Sequence, residues 1–369
     1  MIYLDSGATS FPKPAPVRRA MLRALERSAN PGRGGYPAAM EAARQVYQCR
    51  EIAGTMFGCD PEQVVFTANC THGLNIAIRT LVRPGDRVVI SGFEHNAVTR
   101  PLHGLNARIT VAGRKLFDWE DTLSHWEDAL ASMPAAAVFT HVSNVFGYIL
   151  PVKEMARMCR DRGIPFLVDA AQSAGSLPVS IRELEADFIA MPGHKGLLGP
   201  QGTGLLLCGR LPQPFMMGGT GSDSLVQSMP DFTPDRAEAG TLNVPGIAGL
   251  AAGMEYVRQL GLEKICRKEQ AMTQLCAREL EKLGMQVFRG QHQMATVSFL
   301  PNCDCEEMAQ HLGNRGIAVR AGLHCAPLAH ESAGTLETGT VRISFSHNSA
   351  PGQITGLTQA IAKMNPRES

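Results

Sequence analysis

Six short apolar runs punctuate the first 208 residues: QVVFT, RVVIS, AAAVFTHVS, PFLVDAA, DFIAMPG and GTGLLLC. Runs of Val, Ile, Leu and Phe without polar alternation cannot form a sheet with one face in water, so both faces must be covered. Most of the stretches between them are longer and amphipathic. Val152 to Arg162, for example, places Val, Met, Ala and Met at helical spacing, which suits a crossover helix. Strands alternating with helices predict an α/β fold with a mainly parallel sheet.

The pattern changes after the Gly- and Pro-rich region from Gly218 to Gly246. Two long helices are expected at about 246–260 and 262–283. A smaller α+β unit follows them, with strand ATVSFL, helix CEEMAQHL, strand IAVRAG, strand TVRISF and a last helix near ITGLTQAIAKM. The expected organisation is an N-terminal segment, 1–15, that joins the small domain, a large α/β domain at 16–250, and a small α+β domain at 251–369.

Composition narrows the partners. With 35 basic and 34 acidic residues, the formal net charge is +1. No global field draws such a chain to nucleic acid or to an anionic membrane, so a small-molecule substrate is expected. The opening MIYLDSGATSFPKP lacks the apolar core of a secretion signal, and no stretch approaches the ~20 apolar residues that span a bilayer. Ten cysteines without paired spacing point to reduced thiols and a cytoplasmic setting. Cys303 and Cys305 form a lone C-x-C, read as part of a loop after ATVSFL and too little for a zinc site, so no metal is expected.

Two motifs carry the chemistry. MPGHKGLLGPQGTG sets His194 and Lys195 after a strand and inside a glycine-rich turn, where backbone can approach a ligand. A lysine becomes a nucleophile towards carbonyls when its surroundings lower its pKa; a surface lysine in a flexible loop fits this motif equally well. PFLVDAAQSAG ends an apolar strand at Asp169, with Gln172 shortly after. Open α/β sheets bind ligands at the carboxyl ends of parallel strands, although an aspartate there can also cap the next helix. Asp169 precedes Lys195 by 26 residues, the span of one crossover between neighbouring strands.

VDAAQS followed by GHKGLLGPQGTG resembles the cysteine desulfurases of the aminotransferase class V superfamily. The likeness runs from YLDSGATS through ANPGRGG, EHNAV, HVSN and EAGTLN to RAGLHCAPL and TVRIS, in the family's order. It implies a pyridoxal 5'-phosphate (PLP) enzyme of fold type I, with a seven-stranded sheet in the large domain and the catalytic cysteine loop in the small one. It also implies a homodimer and a separate protein that accepts sulfur or selenium.

The resemblance assigns roles residue by residue. Lys195 would bond the cofactor, and Asp169 would keep its pyridine nitrogen protonated. FTANCTHGLN opens a helix near Thr71, whose N-terminus suits a phosphate or an ordinary cap; the family places Cys70, Thr71 and His194 on the phosphate. Thr241 of EAGTLN would reach the phosphate from a neighbouring subunit. His95 of EHNAV would stack on the ring, and its imidazole could also move protons near neutral pH. Asn144 of HVSN, expected at a strand end, and Gln172 would contact the phenolic oxygen or the substrate. Cys325 would receive the sulfur as a persulfide, with His324 favouring its thiolate. Arg342 would grip the substrate carboxylate through a planar guanidinium.

The expected activity is therefore conversion of L-cysteine to L-alanine with sulfur passed to Cys325. Cys325 and Arg342 stand only 17 positions apart, a short loop like that of sulfur-mobilising desulfurases and selenocysteine lyases. Selenocysteine lyase is one alternative, and a class V aminotransferase or other PLP lyase, for which Cys325 would be dispensable, is another. A non-catalytic scaffold would lack Lys195 or Asp169. Pro192 stands where many relatives have a serine or threonine that helps hold the phosphate. DSGATS and Tyr36 also depart from the family pattern, near the expected substrate pocket.

Overall fold

The computed structural model describes residues 1–32 and 34–364. Arg33 of ANPGRGG and the last five residues of the expected small domain lie outside the described residues. The chain opens with a two-residue strand, β1 (Ile2–Tyr3). Seven strands then build the central sheet: β2 (Val64–Thr67), β3 (Arg87–Ser91), β4 (Arg108–Ala112), β5 (Ala136–Thr140), β6 (Phe166–Asp169), β7 (Phe188–Pro192) and β8 (Gly204–Cys208). Their order is β2-β8-β7-β6-β5-β3-β4. Every pairing is parallel except the two made by β8.

Side chains alternate across these strands, and both faces are dry. Val89, Ala137, Phe139, Phe166, Val168 and Ile189 pack with helices Pro37–Phe57, Trp119–Leu130, Val152–Arg160 and Val244–Leu260. Val88, Ile90, Val138, Leu167, Phe188 and Ala190 pack on the other side, against helices Cys70–Leu81 and Asn96–Gly104. Two-sided burial is why six of these seven strands read as apolar runs. The edge strand β4 is the one that sequence did not reveal, because Arg108, Ile109 and Thr110 are exposed and its period is lost.

The later strands form an antiparallel sheet, ordered β12-β13-β10-β9, from β9 (Gln286–Phe288), β10 (Thr296–Leu300), β12 (Arg320–Gly322) and β13 (Thr340–Ser344). Helices Leu262–Lys282, Cys305–Gly313 and Pro351–Ala362 cover it around Phe299, Ile343 and Leu357. The expected single strand IAVRAG is two: β11 (Ile317–Ala318) pairs in parallel with β1, whereas β12 pairs with β13. Cys305 opens a helix with Asp304 as its cap, so only Cys303 of the C-x-C lies in the expected loop. Leu4 is packed in this second core, and the start of the chain is thereby fixed beside β11 and β13.

Candidate active site

The carboxyl ends of β2, β3, β5, β6 and β7 open on one edge of the sheet, and a pocket lies there. Asp169 is the last residue of β6, in register with Thr140 and Ala190 on its neighbours. Its carboxylate is buried; Oδ1 accepts from the Ala171 N–H at 2.8 Å and from the Cys70 thiol at 3.5 Å. Burial pushes its pKa up, while the Ala171 hydrogen bond and the nearby Lys195 charge pull it down.

Lys195 follows β7 in the turn Gly193–Gly196 and lines the same pocket. A Cβ on Gly196 would meet the Ala174 carbonyl oxygen at 2.3 Å, so only glycine lets this turn press against the loop after Asp169. Burial holds the Lys195 amine below its usual range, with Arg342 adding to the effect and Asp169 opposing it. A desolvated lysine of this kind is a usable nucleophile and proton carrier.

Helix Cys70–Leu81 begins at the pocket, with Asn69 rather than Thr71 as its cap; the Asn69 side chain accepts from the His72 N–H at 2.9 Å. The first N–H groups of the helix, those of Cys70 and Thr71, have no acceptor within it and line the pocket. The Cys70 thiol is turned to Asp169, so what Cys70 offers an anion is its backbone. His194 lines the pocket too; its Nδ1 lies 3.1 Å from the Thr9 hydroxyl, and burial, Lys195 and Lys13 lower its pKa to about 4.

His95 is the cap of helix Asn96–Gly104, its Nδ1 accepting from the Ala97 N–H at 3.0 Å. That bond assigns the proton to Nε2. Burial first, then Lys195, Arg342 and Arg100, lower its pKa to about 4. The lowered pKa favours the neutral ring, which suits stacking. Asn144 sits four residues past the end of β5, not at the strand end, and donates to the His324 carbonyl at 2.8 Å. Gln172 donates to the Gly7 carbonyl at 3.1 Å, which ties the pocket to the N-terminal segment.

Cys325, His324, Arg342 and Thr241 lie outside the pocket lining. Cys325 is exposed, between His324 and helix Pro327–Ala333, with φ +50° at His324 and +55° at Cys325. Its carbonyl accepts from the Asn96 N–H at 2.7 Å, so the loop is fastened beside His95 as well as to Asn144. His324 cannot favour a thiolate as expected. It is buried, with Nε2 3.2 Å from the Thr340 carbonyl oxygen, and burial plus the Arg342 charge lower its pKa to about 2. Arg320, paired with Asp5 at 2.8 Å, stands on the same small sheet.

Arg342 is buried on β13, donating to Asp5 Oδ1 at 2.9 Å and to the Asn144 carbonyl at 3.1 Å, with Nε unpartnered. Asp5 is shared with Arg320 at 2.8 Å, so two guanidinium groups stand on one carboxylate. Motif reading passed over Asp5, Arg320 and Lys13. The one available signal was the DSGATSFPKP opening, which carries two of them. Thr241 is exposed and lines a separate cleft with Ala68 and His72.

A buried acid, a desolvated lysine and helix N–H groups without intrahelical acceptors line one pocket and form a matched set. It fits a ring with a protonated nitrogen, a carbonyl and a phosphate, as PLP has. The chain belongs to the aminotransferase class-V family, whose model matches residues 2–357. Among its relatives, a probable cysteine desulfurase of Methanothermobacter thermautotrophicus is 34% identical, over 98% of this chain and 94% of that protein. A cysteine desulfurase of Escherichia coli is 31% identical, over 97% and 92%. The apo structure of a cysteine desulfurase from Thermococcus onnurineus NA1 superposes with a TM-score of 0.88 at 30% identity, covering 98% of this chain and 94% of that one.

Proposed function

We propose that the chain is a PLP-dependent cysteine desulfurase that takes the sulfur of L-cysteine onto Cys325 and leaves L-alanine. The observation that carries this reading is the exposed Cys325 on a loop whose carbonyls accept from Asn96 and from Asn144, the latter a residue lining the pocket that Lys195 and Asp169 share. The bound cofactor supplies an electron sink for charge developing at the substrate Cα.

The chain's own groups do the rest. Asp169 would keep a proton on the ring nitrogen, and His95 would stack on the ring. The backbone of Cys70, with Thr71 and His194, holds the phosphate. Lys195 would hold the cofactor at rest, and its amine would carry the Cα proton. Arg342 grips the carboxylate, with Asn144 and Gln172 beside it. The Cys325 thiolate attacks the substrate sulfur: an S–S bond forms, the C–S bond breaks, and its electron pair remains with the substrate carbon, which is then protonated. Covalent capture divides one hard step into two easier ones.

Among the described residues no helix is long and apolar enough to cross a membrane. We read the protein as cytoplasmic and homodimeric, with Thr241 serving the partner's phosphate and a separate protein accepting sulfur from the short Cys325 loop.

The test is where sulfur goes. After brief reaction with cysteine and alkylation, peptides covering Arg320 to His330 should gain one reductant-sensitive sulfur on Cys325. Cys325→Ser should keep bound PLP yet yield no persulfide. Residual selenide release from selenocysteine by this variant would mark a lyase in which Cys325 only assists. Full activity on cysteine in the serine variant, with no sulfur on Cys325, would sink the proposal and favour a generic PLP lyase.

A further inference from the structure

Four donors converge on one backbone oxygen. The His194 carbonyl, in the peptide that leads into Lys195, accepts from the Ser10 N–H at 3.0 Å, the Ser10 hydroxyl at 3.0 Å, the Thr9 hydroxyl at 3.1 Å and the Lys13 ammonium at 2.7 Å. A carbonyl oxygen has two lone pairs, so four donors leave it little freedom to rotate. The ammonium also donates to the Ser10 hydroxyl at 2.6 Å.

Among the described residues, no carboxylate pairs with Lys13. Burial lowers its pKa to about 8 without any acid to compensate. Taking an ammonium part way out of water without a counter-ion is costly, so its position calls for an anion. The pocket is short of cations where a phosphate dianion would need them. Among the described residues, Lys195 is the only Lys or Arg in the lining, His194 has a lowered pKa, and Pro192 offers no donor. The charge of Lys13 is felt at the His194 ring, though Lys13 is not itself part of the pocket lining.

We propose that Lys13 is a positioning residue for the cofactor phosphate: it acts through His194, pinning the His194–Lys195 peptide and placing an uncompensated positive charge behind the histidine that faces the phosphate. This rests on the reading that the phosphate lies between His194 and the helix starting at Cys70. A charge set back by one side chain still acts strongly when little water lies between.

The experiment compares Lys13→Arg, Lys13→Gln and Lys13→Met. Each protein is stripped of cofactor and titrated with PLP, then with pyridoxal, which lacks the phosphate. Lys13→Gln and Lys13→Met should bind PLP about tenfold or more weakly, and Lys13→Arg within about threefold of wild type. Pyridoxal should bind all four proteins alike. Equal losses for PLP and pyridoxal would make Lys13 an ordinary structural anchor and overturn the proposal, as would wild-type PLP binding by Lys13→Gln. Should Lys13→Met fail to fold, the Gln and Arg pair still decides. Borohydride reduction of the wild-type complex followed by peptide mapping tests the underlying site independently: a link on any residue but Lys195 removes that reading, whatever the Lys13 variants do.

Discussion

Glu94 precedes His95 in sequence but serves the sheet behind it. It is fully buried; Oε1 accepts from the Ser91 hydroxyl and from the Thr140 N–H at 2.8 Å, so one carboxyl joins the ends of β3 and β5, and Oε2 has no partner. Burial raises its pKa to about 8, and the hydrogen bonds only partly offset it. The folded protein keeps this proton where an unfolded glutamate, with a pKa near 4.5, releases it. The unfolded state therefore binds fewer protons in this window, and this group makes stability fall as pH rises from about 4.5 to about 8. Glu94→Gln keeps the acceptor and removes the titration. It should stabilise the apoprotein by about 1 kcal/mol or more at pH 8 and leave it nearly unchanged at pH 4.5, as denaturant melts at the two pH values would measure. Arg342 presents the opposite case, since its charge is needed. Arg342→Ala should lower kcat/KM for cysteine about tenfold or more, mostly through KM, and Arg342→Lys should not restore it, because an ammonium lacks the planar fork that holds Asp5 and a carboxylate together. An unchanged kcat/KM would remove Arg342 from the site.

At the scale of elements, the start of helix Cys70–Leu81 has two duties, to satisfy its own N–H groups and to leave some for a ligand. Asn69 takes the His72 N–H and leaves those of Cys70 and Thr71. Asn69→Ala should cost about 1 kcal/mol in apoprotein stability and weaken PLP binding in parallel; a stability loss with unchanged PLP affinity would separate the cap from the phosphate site. What was legible in the sequence follows the same division. The buried strands and the turns at their carboxyl ends could be read because burial on both faces, and the glycines beside Lys195, leave local marks. The edge strand β4, exposed over Arg108 to Thr110, left none. Long-range contacts were equally silent: Lys13 meets His194 across 181 positions, and Arg342 meets Asp5 across 337. The expectation for His324 failed for a related reason. Its neighbour in sequence is an exposed cysteine, but its ring is packed against Thr340 and beside His330, where a charge cannot be held.

For the whole molecule, the open question is what covers the stretch from Phe215 to Phe232. Met216, Met217, Leu225, Val226 and Phe232 are all exposed there, Leu225 at 98% and Met217 at 80%, and the exposed Thr241 follows shortly after. Apolar side chains gathered on one exposed segment mark an interaction surface. Within one chain Thr241 lines a cleft separate from the one that holds Lys195, and the proposed homodimer has it serve the partner's pocket instead. Mixing two inactive or impaired proteins tests this directly. A heterodimer of a Lys195→Ala chain and a Thr241→Ala chain has one site with both defects and one site with neither, provided Thr241 acts across the interface. Unfolding and refolding the two variants together should therefore recover cysteine desulfuration well above that of either variant refolded alone. The recovered activity should track the heterodimer fraction in a chromatographic separation of differently tagged chains. If Thr241 serves its own chain, every Lys195-bearing site in the mixture lacks it, and activity should never exceed that of Thr241→Ala alone.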